Sequence, residues 1–178
     1  VTSLTYGWML LQVPETLIGT AIGTALLPTL SEHFAQDQKE AFQQTIEKAV
    51  KVLIALCLPV SAVMAIGLRP LLGAAFDFGT EGTKILSWVT AAFLVGLTGH
   101  SIKEVGVRSF YSRQNAKTPL LTAGINIVLY ITLGLLLYRP LGAPGIALTD
   151  SVVFTTEAVL LLVLLGKRMI APVKVNSS

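Results

Sequence analysis

Residues Val13–Ser31 read VPETLIGTAIGTALLPTLS. The stretch is apolar, yet it holds two prolines, Pro14 and Pro28, and one acid, Glu15. Gly19 and Gly23 form a G-x-x-x-G pair, which puts two bare backbone patches on one helix face. In lipid, water does not drive helices together, and such a face lets a neighbouring helix come close. Each proline removes a backbone donor and bends or ends a helix. A bilayer tolerates this where protein or a water-filled cavity takes up the freed carbonyl. Two readings stand: an ordinary kinked membrane helix, or a helix lining a moving cavity in a transporter.

The rest of the chain favours a membrane. Of its 178 residues 53% are hydrophobic and 13% charged, and the mean hydropathy is +0.72. Soluble domains carry about 25% charged residues. These numbers describe an integral membrane protein, and with no strand alternation long enough for a barrel the expected fold is all-α. No basic block with interleaved aromatics is present, which argues against a nucleic-acid partner. The single cysteine, Cys57, excludes an internal disulfide and a cysteine metal cluster. It lies in an apolar run and reads as a packing residue. The chain starts at Val1 without a basic segment, short apolar core and cleavage site. It reads as a piece of a longer protein.

A transmembrane helix needs about 20 mostly apolar residues. Five segments qualify, at about 4–30, 50–68, 84–108, 118–138 and 145–166. Together they make a helical lobe over 1–166, followed by a polar cytoplasmic tail over 167–178. The connector SEHFAQDQKEAFQQTIEKAVK carries Phe42, Ile46, Ala49 and Val50 at helical spacing. Asp37 followed by Glu40 resembles a capping box. We expect a short amphipathic helix from near Gln38, lying first along the interface and then continuing into the second span. Arg69-Pro70 should end that span. Leu71–Gly79 reads as a short interfacial piece, with Gly79 and Gly82 turning the chain into the third span. Asn115 suits a turn, and Pro119 suits the first turn of the next helix. YRPLGAPG is a tight, proline-rich turn.

Lysine and arginine set the orientation. The first, third and fifth connections share one side and hold Lys39, Lys48, Lys51, Arg108, Arg113, Lys117, Lys167, Arg168 and Lys174. The other side holds Arg69, Lys84 and Arg139, and Lys103 sits inside a span. Positive residues collect on the cytoplasmic side. The first helix should therefore run from outside to inside.

Several stretches, taken in order, resemble one family. Pro14, Gly19, Ala21-Ile22-Gly23-Thr24, Leu26-Leu27-Pro28 and Leu30-Ser31 are similar to the P…G.AIGT.LLP.LS motif of the MurJ/MviN lipid II flippases. Leu58-Pro59 is similar to that family's next helix. Phe110-Tyr111-Ser112-Arg113-Gln114 with Lys117-Thr118-Pro119 is close to its FYxRQDxKTP loop. Gly142 and Gly145-Ile146-Ala147-Leu148 fit the start of the helix after that. The resemblance implies part of a fourteen-helix, two-lobe exporter with a central cavity, and it covers helices eight to twelve. It further implies a bacterial cytoplasmic membrane, a lipid-linked peptidoglycan precursor as substrate, and contact with membrane lipid and with the N-terminal lobe of the same protein. It implies no cofactor. One departure stands out. Many members carry an acid–arginine pair just before the first proline, and the arginine helps line the cationic cavity that receives the pyrophosphate. Here Trp8 and Met9 stand in those places.

Ionisable groups within spans are costly and face protein or water. His100, Glu104 and Arg108 are four apart and share one face of the third helix, with Lys103 about 100° round from Glu104. They read either as a charge ladder at the cytoplasmic end or as part of a gate. Asp150 and Glu157 lie seven apart on nearly one face of the fifth helix. Asp150, near an end, suits a structural role. Glu157, near mid-membrane, suits a cavity or a partner on another helix. Glu15 either lines a cavity or satisfies a freed backbone donor. His100 and His33, far apart in sequence, make no metal motif. No P-loop or spaced nucleophile–base arrangement stands out. The residues therefore point to a transporter that does not hydrolyse ATP. A non-transporting membrane scaffold and an enzyme of lipid-linked sugars are the rival classes.

Overall fold

The computed structural model describes the backbone over residues 2–75 and 79–170, and side chains over 4–67 and 82–167. Every element in the described residues is helical. Helix α1 (Thr2–Pro14) passes through a π turn (Glu15–Thr20) into α2 (Ala21–Ala35). Then follow α3 (Lys39–Ala75), α4 (Gly79–Ser112), α5 (Lys117–Leu141) and α6 (Ala143–Ile170). Five stretches are long and apolar enough to cross a membrane: Leu4–Ala35, Lys39–Gly67, Gly82–Ser112, Lys117–Leu141 and Ala143–Lys167. These are the five expected spans, each longer than its apolar centre suggested.

Helix α4 is the axis of the bundle. It packs against α6, α3, α1, the π turn and α2, whereas α5 leans on α6 and barely meets α4. Small residues allow this crowding. A Cβ at Gly19 would lie 2.9 Å from the Ser101 Cα, and one at Gly23 would lie 2.7 Å from Arg108 Nε. The G-x-x-x-G face thus meets α4. On its other side α4 presents Gly96 and Gly99, where a Cβ would lie 2.6 Å and 2.8 Å from the Cα atoms of Ser151 and Thr155 on α6. Backbone contact of this kind supplies the van der Waals packing that holds helices together in lipid.

The π turn keeps the first span aimed at α4. Its buried positions include Gly7, Leu11, Pro14, Gly19, Gly23 and Leu30. The five-residue step from Pro14 to Gly19 would rotate the face of a regular α-helix by about 140°. A turn closed by i→i+5 hydrogen bonds takes up the extra residue. Such a bond runs from the Ala21 N–H to the Thr16 carbonyl. The deviation follows Pro14, which has no N–H to hold a regular turn. Sequence reading expected a bend there and missed the change of helix type.

The amphipathic stretch continues into the second span as expected: it forms the first turns of α3, and Phe42, Ile46 and Ala49 are buried in one core with Leu30, Val105, Phe110 and Leu161. Its apolar stripe faces protein. Other expectations are corrected. Asp37 does not cap that helix as an N-cap. Its φ is 51°, and Gln38 N–H donates to the His33 carbonyl while Asp37 N–H donates to that of Phe34. This is the left-handed closure of α2. Arg69-Pro70 does not end α3, which continues to Ala75. A proline costs one backbone hydrogen bond, and membrane helices tolerate it. Leu71–Ala75 therefore belong to α3, and 76–78 lie outside the described residues. Helix α6 runs through Ile170, into the first residues of the expected polar tail, and 171–178 lie outside the described residues.

The turns follow their residue chemistry. Gln114 has φ 54°, with Asn115 N–H donating to the Phe110 carbonyl, the same closure as at Asp37. Asn115 Oδ1 then accepts from the Thr118 N–H at 3.2 Å and starts α5. Gly142 adopts φ 62°, ψ −134°, a region that suits glycine. It turns the chain into α6 with Pro144 in the first helical turn.

Candidate functional site

The two inward acids of α6 lie in different surroundings. Asp150 is 5% and His100 1% exposed, and His100 Nε2 lies 2.7 Å from Asp150 Oδ2. This hydrogen bond ties α4 to α6. His100 stacks on Phe154 with ring centroids 4.2 Å apart at 25°, and Trp8 meets it edge-on at 5.7 Å. Trp8 therefore packs onto His100 and onto Phe93. Met9 is exposed.

Glu157 lies about 21 Å along α6 at ~1.5 Å per residue, and it is 6% exposed. Asn126 Nδ2 donates to its Oε2 at 2.6 Å, and Thr122 Oγ1 lies 3.3 Å from its Oε1. Thr122 and Asn126 are four apart on α5 and so share a face. The acid faces helices, as a membrane acid must.

Beside it runs an open groove of about 590 Å³ between α4 and α5, whose lining includes Lys103, Glu104, Tyr111, Asn126, Phe154 and Glu157. Lys103 Nζ lies 3.8 Å from Glu104 Oε1 and 4.6 Å from the Phe154 ring centroid. Glu104 Oε2 also pairs with Arg108 Nη2 at 3.0 Å. The Arg108 side chain passes over Gly23, so this network links the groove to α2. The expected four-spaced ladder is thus half formed: Glu104 and Arg108 pair, while His100 turns to Asp150.

The remaining sequence candidates fall elsewhere. Glu15 is half-buried on the π turn, with no hydrogen-bond or ionic partner among the described residues. Pro14 is buried at the start of that turn, and Pro28 and Pro59 are exposed within α2 and α3. Phe110 is buried in the core. The Arg113 guanidinium lies 5.7 Å from the Phe34 ring centroid. Lys117 opens α5, exposed, and buried Pro119 lines the groove. Thr122, Asn126 and Phe154 were not singled out from the sequence. The signal for the first two was present: a four-spaced polar pair in an otherwise apolar, uncharged span.

The arrangement is ionic and hydrogen-bonded, and it suits binding and gating of a charged group. Comparison with known proteins identifies the setting. The sequence model described as "Lipid II flippase MurJ" matches residues 1–175. The chain belongs to the MurJ lipid II flippase family. Its relatives include a probable lipid II flippase MurJ of Rhizobium meliloti strain 1021, 27% identical over 164 residues, covering 90% of this chain and 31% of the relative. Another, from Bdellovibrio bacteriovorus, is 30% identical over 161 residues, covering 89% and 31%. A solved structure, "Lipid II flippase MurJ, inward closed conformation", shares the fold with a TM-score of 0.82 at 22% identity, covering 93% of this chain and 36% of that one. The chain thus spans about a third of the length of these MurJ relatives. The family and the five apolar helices make it a multi-pass protein of the bacterial cytoplasmic membrane.

Proposed function

We propose that this chain forms part of the second lobe of a lipid II flippase. The full protein would move a polyprenyl-pyrophosphate-linked peptidoglycan precursor from the inner to the outer leaflet by alternating access, one lobe rocking against the other around a central cavity. The reading is carried by the family match over residues 1–175. Two features fit it: a first span broken by a π turn, and a groove with charged lining beside the central helix. The segment 1–166 acts as one helical lobe whose partners are the N-terminal lobe and membrane lipid. Lys103, Glu104 and Arg108 form its gate toward α2, and Glu157 lines the groove. Glu15, without a partner on the π turn, faces the transport path. His100 and Asp150 hold α4 to α6. The protein acts as a transporter, not as an enzyme.

Trp8 and Met9 favour a second reading of the substrate. Without the arginine there, the cavity accommodates a lipid-linked oligosaccharide less dependent on a pyrophosphate clamp. The test is complementation of a flippase-depleted bacterium with the full-length parent. Rescue is expected, and Lys103→Ala at normal membrane abundance should rescue poorly. Failure of the abundant wild-type parent to rescue would overturn the lipid II reading in favour of the oligosaccharide one.

A further inference from the structure

Glu157 is a buried acid without an ion pair among the described residues. Its hydrogen-bond partners are the Asn126 amide and the Thr122 hydroxyl, both neutral. Charged groups face it from α4. Helix α4 brings Lys103, Glu104 and His100, but Lys103 lies against Glu104 and the Phe154 ring, and His100 bonds Asp150. On α6 itself Asp150 lies two turns away and bonds His100. Helix α5 faces it with Thr122 and Asn126 and carries Tyr130 one turn beyond. An ionised carboxyl held by neutral donors alone is costly in a membrane.

The hydroxyl geometry adds a second observation. Thr122 has one proton and two acceptors in reach, the Pro119 carbonyl at 3.0 Å and Glu157 Oε1 at 3.3 Å. A hydroxyl oxygen also accepts. With its proton on the shorter bond to Pro119, Thr122 offers Glu157 a lone pair. The hydrogen bond between them is then made by a proton on the carboxyl. When the carboxyl is ionised, it competes with Pro119 for the Thr122 proton. Asn126 donates to the other oxygen in both states. Glu157 itself lines the open groove, and Thr122 stands behind it.

We propose that Glu157 is a proton-binding site, loaded and emptied through the groove between α4 and α5. A hydronium ion in the groove gives its proton to the carboxylate and leaves as water. The Thr122 hydroxyl turns to Pro119 as the proton arrives, so the first turn of α5 senses the state of α6. Any coupling to transport rests on the flippase reading, but proton binding is measurable without transport.

The experiment uses the full-length parent in lipid vesicles and infrared difference spectra between acidic and alkaline buffer. The wild type should show a protonated-carboxyl carbonyl band that shifts in D2O. Glu157→Gln should lose one carboxyl's share of that band, and Glu157→Asp should move its midpoint pH. Equal band amplitude in wild type and Glu157→Gln overturns the proposal. Should Glu157→Gln fold poorly, Glu157→Asp decides, and an unmoved midpoint overturns it. Asn126 Oδ1 is buried without a partner, so a metal cation is the competing ligand. A Glu157-dependent spectral change that follows sodium at constant pH and is absent when pH alone is changed would overturn the proposal in favour of that cation.

Discussion

Gly19 and Gly23 meet different things on α4. At Gly19 a side chain runs into the backbone of Ser101, whereas at Gly23 it meets the far end of the Arg108 side chain. The backbone cannot move aside without shifting α4, but a guanidinium stem can turn away. Overpacking a tight site costs typically about 1–3 kcal/mol. Gly19→Ala should therefore reduce folded yield in detergent clearly more than Gly23→Ala, and Ile22→Leu should match the wild type. Equal losses at both glycines would mean that the backbone contact with Ser101 does not limit packing. The sequence made both glycines visible as packing residues through their spacing. It could not rank them, because the ranking depends on which atom of a residue some eighty positions away stands opposite. For the same reason Thr122 and Asn126, visible as a polar pair in an apolar span, were not legible as partners of Glu157: α5 alone does not say which helix they face.

At the level of elements, the five spans were legible because apolar length alone sets them. Their ends were less so. Prolines at 59 and 70 lie within one helix of 37 residues, since a membrane helix keeps its remaining hydrogen bonds where a soluble one would yield them to water. The π turn was invisible because its signature is a spacing of five between buried positions, and burial is not written in an apolar stretch. This gives a sharp expectation. Deleting Leu17, which is 71% exposed, converts the π turn to an α turn and keeps Gly7, Leu11, Gly19 and Gly23 on one face. Deleting Ala25, within regular α2, rotates everything beyond it by about 100°. In the full-length parent the first deletion should retain membrane abundance, and the second should lose most of it. Comparable loss from both would show that the extra residue does more than set register.

For the whole molecule, the axis formed by α4 and its backbone contact with α6 argue for a lobe that moves as one body. At Gly96 and Gly99 the α4 backbone meets Ser151 and Thr155 with no side chain between, so the expectation is movement at the lobe's outer boundaries and at the π turn. The orientation of that body follows from charge. Cysteines replacing Gln36 and Ala116 in a Cys57→Ser background should resist an impermeant thiol reagent in intact cells and react once the membrane is opened. A cysteine at Lys84 should react from outside. Labelling of the first two in intact cells would reverse the topology. Cys57 is buried beside Ser101, with Sγ 3.4 Å from Oγ, so the serine background is a small change of volume there.

Helix α5 has a biosynthetic consequence. Its outward residues, among them Leu120, Leu121, Val128 and Leu135, are largely bare, and its packing is on α6, which is made after it. When α5 leaves the ribosome, the helix carrying Glu157 has not yet been synthesised, and Asn126 has no acceptor from it. A translocon that released the two helices one at a time would leave that amide without its native acceptor. The sharp Gly142 turn joins them closely enough to partition as a hairpin, with both polar side chains already paired as they reach the bilayer.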